Sequence, residues 1–131
     1  ASPAYLAAHG LPRFEEACRG HALVTMHRAV VGSPEAGWLL GLAGQARGVL
    51  RSNGVTGQLK AVEAGRAMGA LPRVVGDASA ALQRIETPQP APVRAIRMGV
   101  HADLRHTSRI RAFIDFAVAD LASRAAVLDP R

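Results

Sequence analysis

VLRSNGVTGQLKAVEAGRAMGALP, residues 49–72, decides the fold. Its first three residues read as the end of a strand, and Ser52-Asn53-Gly54 reads as a polar turn. From Gly54 to Gly65, Val55, Leu59, Ala61 and Val62 recur at helical spacing. "AMGAL" (67–71) is short and apolar, the signature of a buried parallel strand, and Pro72 stops it. Strand, helix and parallel strand in succession predict an α/β fold with a mostly parallel sheet flanked by helices.

Outward from this stretch the chain alternates short elements. "PAYLAAH" (3–9) is a helix entered through Ser2-Pro3 and closed by Gly10. "LPRFEEACRG" (11–20) repeats that plan, with Glu15 and Glu16 early in the helix, where its dipole favours acids. "HALVTM" (21–26) is a strand. "HRAVVGSPEAG" (27–37) is a loop, because Gly32-Ser33-Pro34 breaks any period. "WLLGL" (38–42) and "ARGVLR" (46–51) are expected as two strands of a hairpin. Beyond Pro72 come a short helix to about Asp77, a strand at "ALQRI" (81–85) and a stiff connector at "ETPQPAP" (86–92). "VRAIRMGV" (93–100) alternates in the manner of a strand. Thr107 or Ser108 then caps a long helix. Its stripe of Ile110, Phe113, Ile114, Ala117, Val118 and Leu121 is the clearest helical period in the chain.

Composition narrows the class. The 131 residues suit one domain or one lobe of a larger one. Apolar residues make up 49%, enough for a core, and no apolar run is long enough to span a bilayer. No cleavable signal pattern opens the chain, and one cysteine, Cys18, excludes an intrachain disulfide framework; the expected setting is the cytoplasm. The net charge of +6 comes from scattered arginines with a single lysine, Lys60, so no clustered patch points to direct nucleic-acid contact. Ala1-Ser2-Pro3 lacks an initiator Met and starts at a helix cap, which is read as the continuation of a preceding segment.

Few residues carry chemistry. A strand ending in Ser-Asn-Gly and feeding a helix offers free backbone N–H groups and the positive end of the helix dipole. Ser52 or Asn53 can cap, Gly54 admits a ligand close to the backbone, and Thr56 adds a hydroxyl. Such a turn is either an ordinary cap or a cradle for a small anion. "GRAMG" (65–69) is neither a dinucleotide fingerprint nor a P-loop, and it follows its helix instead of preceding it. "HADLRH" groups His101, Asp103 and His106 without the further ligand of a tight zinc site, so neither metal nor cofactor is expected. Acids beside Cys18 would raise its thiol pKa, His21 and His27 merely flank a strand, and Ser33 lacks a nucleophile elbow. No constellation for catalysis emerges.

Three pieces in register, "ASPAYLAAHGLPR", "RSNGVTGQLKAVEAGRAMGALP" and "HADLRHTSRIRAFIDFAVADLA", resemble the effector-binding domain of LysR-type transcriptional regulators. Residues 14–48 match that pattern more loosely. After the helix the family's small-residue pattern is interrupted here by Arg66 and Ala67. The resemblance implies an incomplete, two-lobed, type II periplasmic-binding-protein-like domain. Residues 1–92 would be its second lobe, and 93–131 a crossover strand and the helix returning to the first lobe. It further implies a small-molecule effector, often an anion or carboxylate, and promoter DNA bound through an N-terminal domain this chain does not contain. A homo-oligomer and no membrane association complete the expectation. The effector-facing candidates are Ser52, Asn53, Gly54, Val55 and Thr56, with Gly99, Val100 and His101 near the hinge. Ile110, Phe113, Ile114, Val118 and Leu121 would form an interface. A stand-alone solute-binding protein of the same fold is the alternative, with a small α/β enzyme behind it.

Overall fold

The computed structural model describes residues 1–26 and 33–129. They form two compact units, Ala1–Pro92 and the part beginning at Val93. In the first, helix α1 (Pro3–His9) is built as its sequence predicts: Ser2 Oγ accepts the Tyr5 N–H, Pro3 opens the helix, and Gly10 closes it. Strand β1 (Ala22–Thr25) follows, then α2 (Pro34–Ala43), β2 (Arg47–Arg51), α3 (Val55–Glu63), β3 (Met68–Gly69) and the single turn α4 (Arg73–Gly76). The sheet order is β2-β1-β3, with both pairings parallel. A bulge after Leu23 shifts the β1/β2 register, so Leu23 pairs with Gly48 but Val24 with Leu50.

β1 is the axis of the core, and its alternating side chains meet different helices. Leu23 and Thr25 face a pocket walled by Ala36, Leu39 and Leu40 of α2. Val24 points the other way, toward α3. A Cβ placed on Gly69 would stand 3.5 Å from Val24 Cβ and only 2.8 Å from Cγ2 of the fully buried Val62. Position 69 therefore admits only glycine without displacement, and α2 and α3 cover opposite faces of the sheet. α3 ends where Gly65 turns into the left-handed region at φ 69°, its N–H donating to Val62 O.

Several expectations are corrected. "WLLGL" lies in α2, so no hairpin joins it to β2. Ser33 Oγ accepts the Ala36 N–H and Pro34 starts the helix, converting the foreseen loop and strand into a crossover helix between parallel strands. A short apolar run cannot by its period distinguish these outcomes. The helix expected over 12–20 is one 3₁₀ turn, Phe14–Glu16. Ala17 and Cys18 then adopt φ 50° and 58°, a left-handed corner held by Gln45 N–H on Ala17 O and by Cys18 Sγ on Leu42 O. No strand forms over 81–85, where Gln83 instead exchanges both backbone hydrogen bonds with Ala1. Residues 27–32, including His27 and most of the expected loop, lie outside the described residues.

The second unit has no strand over 93–100. An alternating pattern makes a strand only where a neighbour completes its ladder. A 3₁₀ turn (Ala102–Leu104) precedes the long helix α5 (Ser108–Ser123) and the short α6 (Ala125–Leu128). Thr107 occupies the cap position of α5 without a side-chain hydrogen bond. Of the helical stripe, Ile110, Ile114 and Leu121 are half-buried, whereas Phe113 and Val118 stand 61% and 56% exposed.

Candidate functional site

β2 delivers the chain to Ser52, whose N–H donates to Thr25 O of β1 at 2.9 Å. The turn is thus pinned to the central strand. Ser52 Oγ accepts the Gly54 N–H at 3.2 Å and donates to Gly54 O at 3.3 Å. Gln58, buried on the inner side of α3, donates from Nε2 to Ser52 O at 2.5 Å. A Cβ on Gly57 would stand 3.0 Å from Ser52 Oγ, so the glycine in "VTGQ" lets the hydroxyl sit over the helix end.

The cap differs from the expectation. Gly54 takes the N-cap position, at φ −85° and ψ 122°, and has no side chain with which to cap the helix. Ser52 spends its hydroxyl inside the turn, two residues short of the N–H groups a cap would satisfy. The first helical N–H to reach a carbonyl of the same helix is Gln58, on Gly54 O at 3.1 Å. The N–H groups of Val55, Thr56 and Gly57 thus find no acceptor within α3. Ser52 is half-buried, and Asn53, Gly54, Val55 and Thr56 are exposed. The arrangement places the positive end of a nine-residue helix at an exposed turn.

The turn sits where the fold places ligands. The connection leaving β1 runs onto one face through α2, and the one leaving β2 onto the other through α3. Adjacent parallel strands whose following helices diverge form a crevice at their carboxyl ends. Thr25, Met26, Arg51 and Ser52 stand at that end.

Gly99, Val100 and His101 belong to the second unit and are exposed. His101 Nδ1 accepts the Asp103 N–H at 3.4 Å and lies 3.5 Å from Asp103 Oδ2. The Arg105 Nε–H donates to His106 Nε2 at 2.9 Å, so the "HADLRH" side chains bond to one another. Among the described residues, no group of three or more His, Cys, Asp or Glu could hold a metal. Burial foremost, and Glu15 second, raise the Cys18 thiol pKa above its ordinary value.

One polar cluster escaped sequence reasoning. Tyr5, 1% exposed, accepts the Ala22 N–H on its hydroxyl at 2.8 Å, with His21 Nδ1 3.2 Å away. His9 stacks on the Tyr5 ring at 4.3 Å between centroids. Burial, and then the nearby His9, lower the His21 pKa. This cluster clamps α1 to the start of β1. The visible signal was a histidine immediately before an apolar strand, and only its partner 16 residues upstream explains it. Gln58 was the other missed residue, a polar position one turn before Val62 on the inward stripe.

A family model described as "LysR substrate binding domain" matches residues 1–122. Its type II periplasmic-binding-protein-like fold accords with the parallel, helix-flanked sheet. No match was found among curated proteins or solved structures.

Proposed function

We propose, on the premise that this chain belongs to the LysR substrate-binding domain family, that it is the effector-sensing part of a DNA-binding transcription regulator acting in the cytoplasm. Its effector is a small anion or carboxylate held at the amino end of α3. The observation that carries this reading is the helix entry itself: a glycine at the N-cap of α3 and exposed Val55 and Thr56, on a turn stapled by Ser52 and Gln58. A carboxylate there gains charge-assisted hydrogen bonds to donors already in position, with little ordering cost. Residues 1–92 act as the second lobe, and the opposing wall of the site comes from a first lobe. Effector binds the closed arrangement better and shifts the population of a homo-oligomer on its promoter. The apolar positions Phe113 and Val118 of α5 contribute to that association.

Val55→Pro tests the cradle. Val55 is the first residue of α3, where proline is well tolerated, and Gly54 before it already has the extended backbone that proline requires. The variant removes one donor and leaves the helix intact. Acetate or sulfate should shift the amide resonances of Asn53–Thr56 in the parent chain and bind Val55→Pro more weakly, at unchanged stability. Amides that stay still at saturating anion would refute the reading. A stand-alone solute-binding protein remains the second reading, carried by the same fold. The full reading frame separates them: an upstream helix-turn-helix supports the regulator, and a secretion signal the alternative.

A further inference from the structure

We infer that α1 is an acid-released latch: the His9–His21 pair takes up protons as Tyr5 leaves its seat, and α1 detaches from β1 while the sheet stays folded. The attachment is narrow, because Tyr5 is the one buried residue of the seven in α1. Its ring meets two imidazoles, stacked on His9 at 4.3 Å and tilted against His21 at 5.9 Å between centroids. The imidazoles themselves stand 6.4 Å apart. His9 and His21 are the only histidines among the described residues of the first unit. The side chains suited to titrate between pH 5 and 7 are thus gathered at this joint.

Neutral rings suit the joint and charged ones do not. The Tyr5 hydroxyl accepts the Ala22 N–H at 2.8 Å and can give its own proton to His21 Nδ1, 3.2 Å away. A proton on Nδ1 turns that acceptor into a donor aimed at an oxygen already in use. The hydroxyl proton is then left with Ala22 O at 3.4 Å. His9 Nδ1 donates to Tyr5 O at 3.1 Å, so its second proton goes to Nε2. Two imidazoliums this close repel. Among the described residues neither ring has a carboxylate within ion-pair distance, and Glu15 and Glu16 on the 3₁₀ turn are both engaged by Arg13. The other neighbours are Cys18, whose carbonyl accepts the His21 N–H, and exposed Arg47 of β2, whose N–H donates to His21 O. Neither brings a negative charge to the rings. Burial, and then His9, hold the His21 pKa below its ordinary value. Release is therefore favoured as pH falls below about 6.5, the value of a freed ring, and the effect levels off below the value of the seated one.

The test uses the full 131-residue chain with isotope-labelled amides, taken from about pH 7.5 to about pH 5, where histidine titrates and carboxylates stay largely ionised. Tyr5 and Trp38 are the chain's single tyrosine and single tryptophan, so each signal has one source. As pH falls, the Tyr5 ring resonances should move toward those of a solvated tyrosine, with Trp38 emission unchanged. The Leu6 and Ala22 amides should lose protection from hydrogen exchange by up to about tenfold per pH unit, the effect of one proton. At each pH they should exchange faster than the Ser52 amide. His9→Phe keeps a ring against Tyr5, at an exposed position, and removes one charge; it should shrink the loss. His21→Gln should abolish it. Equal protection of Ala22 and Ser52 at every pH would show that the whole unit opens together, and would overturn the latch. Tyr5 resonances that stay in place throughout, or a pH dependence that survives in both variants, would overturn it as well.

Discussion

Tyr5→Phe isolates the clamp between α1 and β1, because it deletes one oxygen and keeps the ring. In the parent, that oxygen accepts the N–H of Ala22 at 2.8 Å, in a site where Tyr5 and Ala22 are 1% and 8% exposed. Removing it strands a buried donor and takes from His21 Nδ1 its partner at 3.2 Å. A buried N–H left without an acceptor costs about 1–3 kcal/mol, beyond the small loss of ring packing. With a urea slope near 1–3 kcal/mol per molar, the midpoint should fall by about 1 M at neutral pH. Trp38, the chain's one tryptophan, lies in the first unit and reports its unfolding by fluorescence. A drop below about 0.5 kcal/mol at unchanged slope would show that the Ala22 N–H has another acceptor. The clamp would then be packing alone.

The His21 pKa lies below its ordinary value, so the folded state prefers the neutral ring. Stability should therefore be complete above the unfolded value near 6.5 and fall as pH drops toward the folded value. His21→Gln should flatten that slope in urea midpoints measured from pH 7.5 to 5. Gly69→Ala should destabilise by about 1–3 kcal/mol by forcing Val62 from its position, and pairing it with Val62→Ala should recover part of the loss in thermal denaturation. Gly65→Ala, at φ 69°, should cost about 1–2 kcal/mol through backbone strain, whereas Gly65→Asn should cost less.

Where both neighbours of an element lay close in sequence, the pattern sufficed. Ser2-Pro3 with Gly10 bounded α1, and the 49–72 stretch gave β2, the turn, α3 and β3 in order. Caps, helical period and short apolar runs are local properties, settled by residues within a turn or two. The family resemblance followed from the same local pieces. "WLLGL" shows the limit: its residues suit a strand or a helix, and the Ser33 cap with Pro34 tipped it into α2. That one change replaced a hairpin with a parallel crossover, and so created both the divergence after β1 and β2 and the pocket beneath it.

The sequence by itself determined the class of the fold, the turn at Ser52 and the helix it feeds. Only the tertiary structure decided that the turn's serine caps nothing, that Gln58 reaches back to brace it, and that Arg51 faces an apolar pocket. The reason is distance along the chain. Thr25 and Ser52 are 27 residues apart, and their hydrogen bond exists because β1 and β2 lie side by side. A pattern read along one segment carries no record of which segment will become its neighbour.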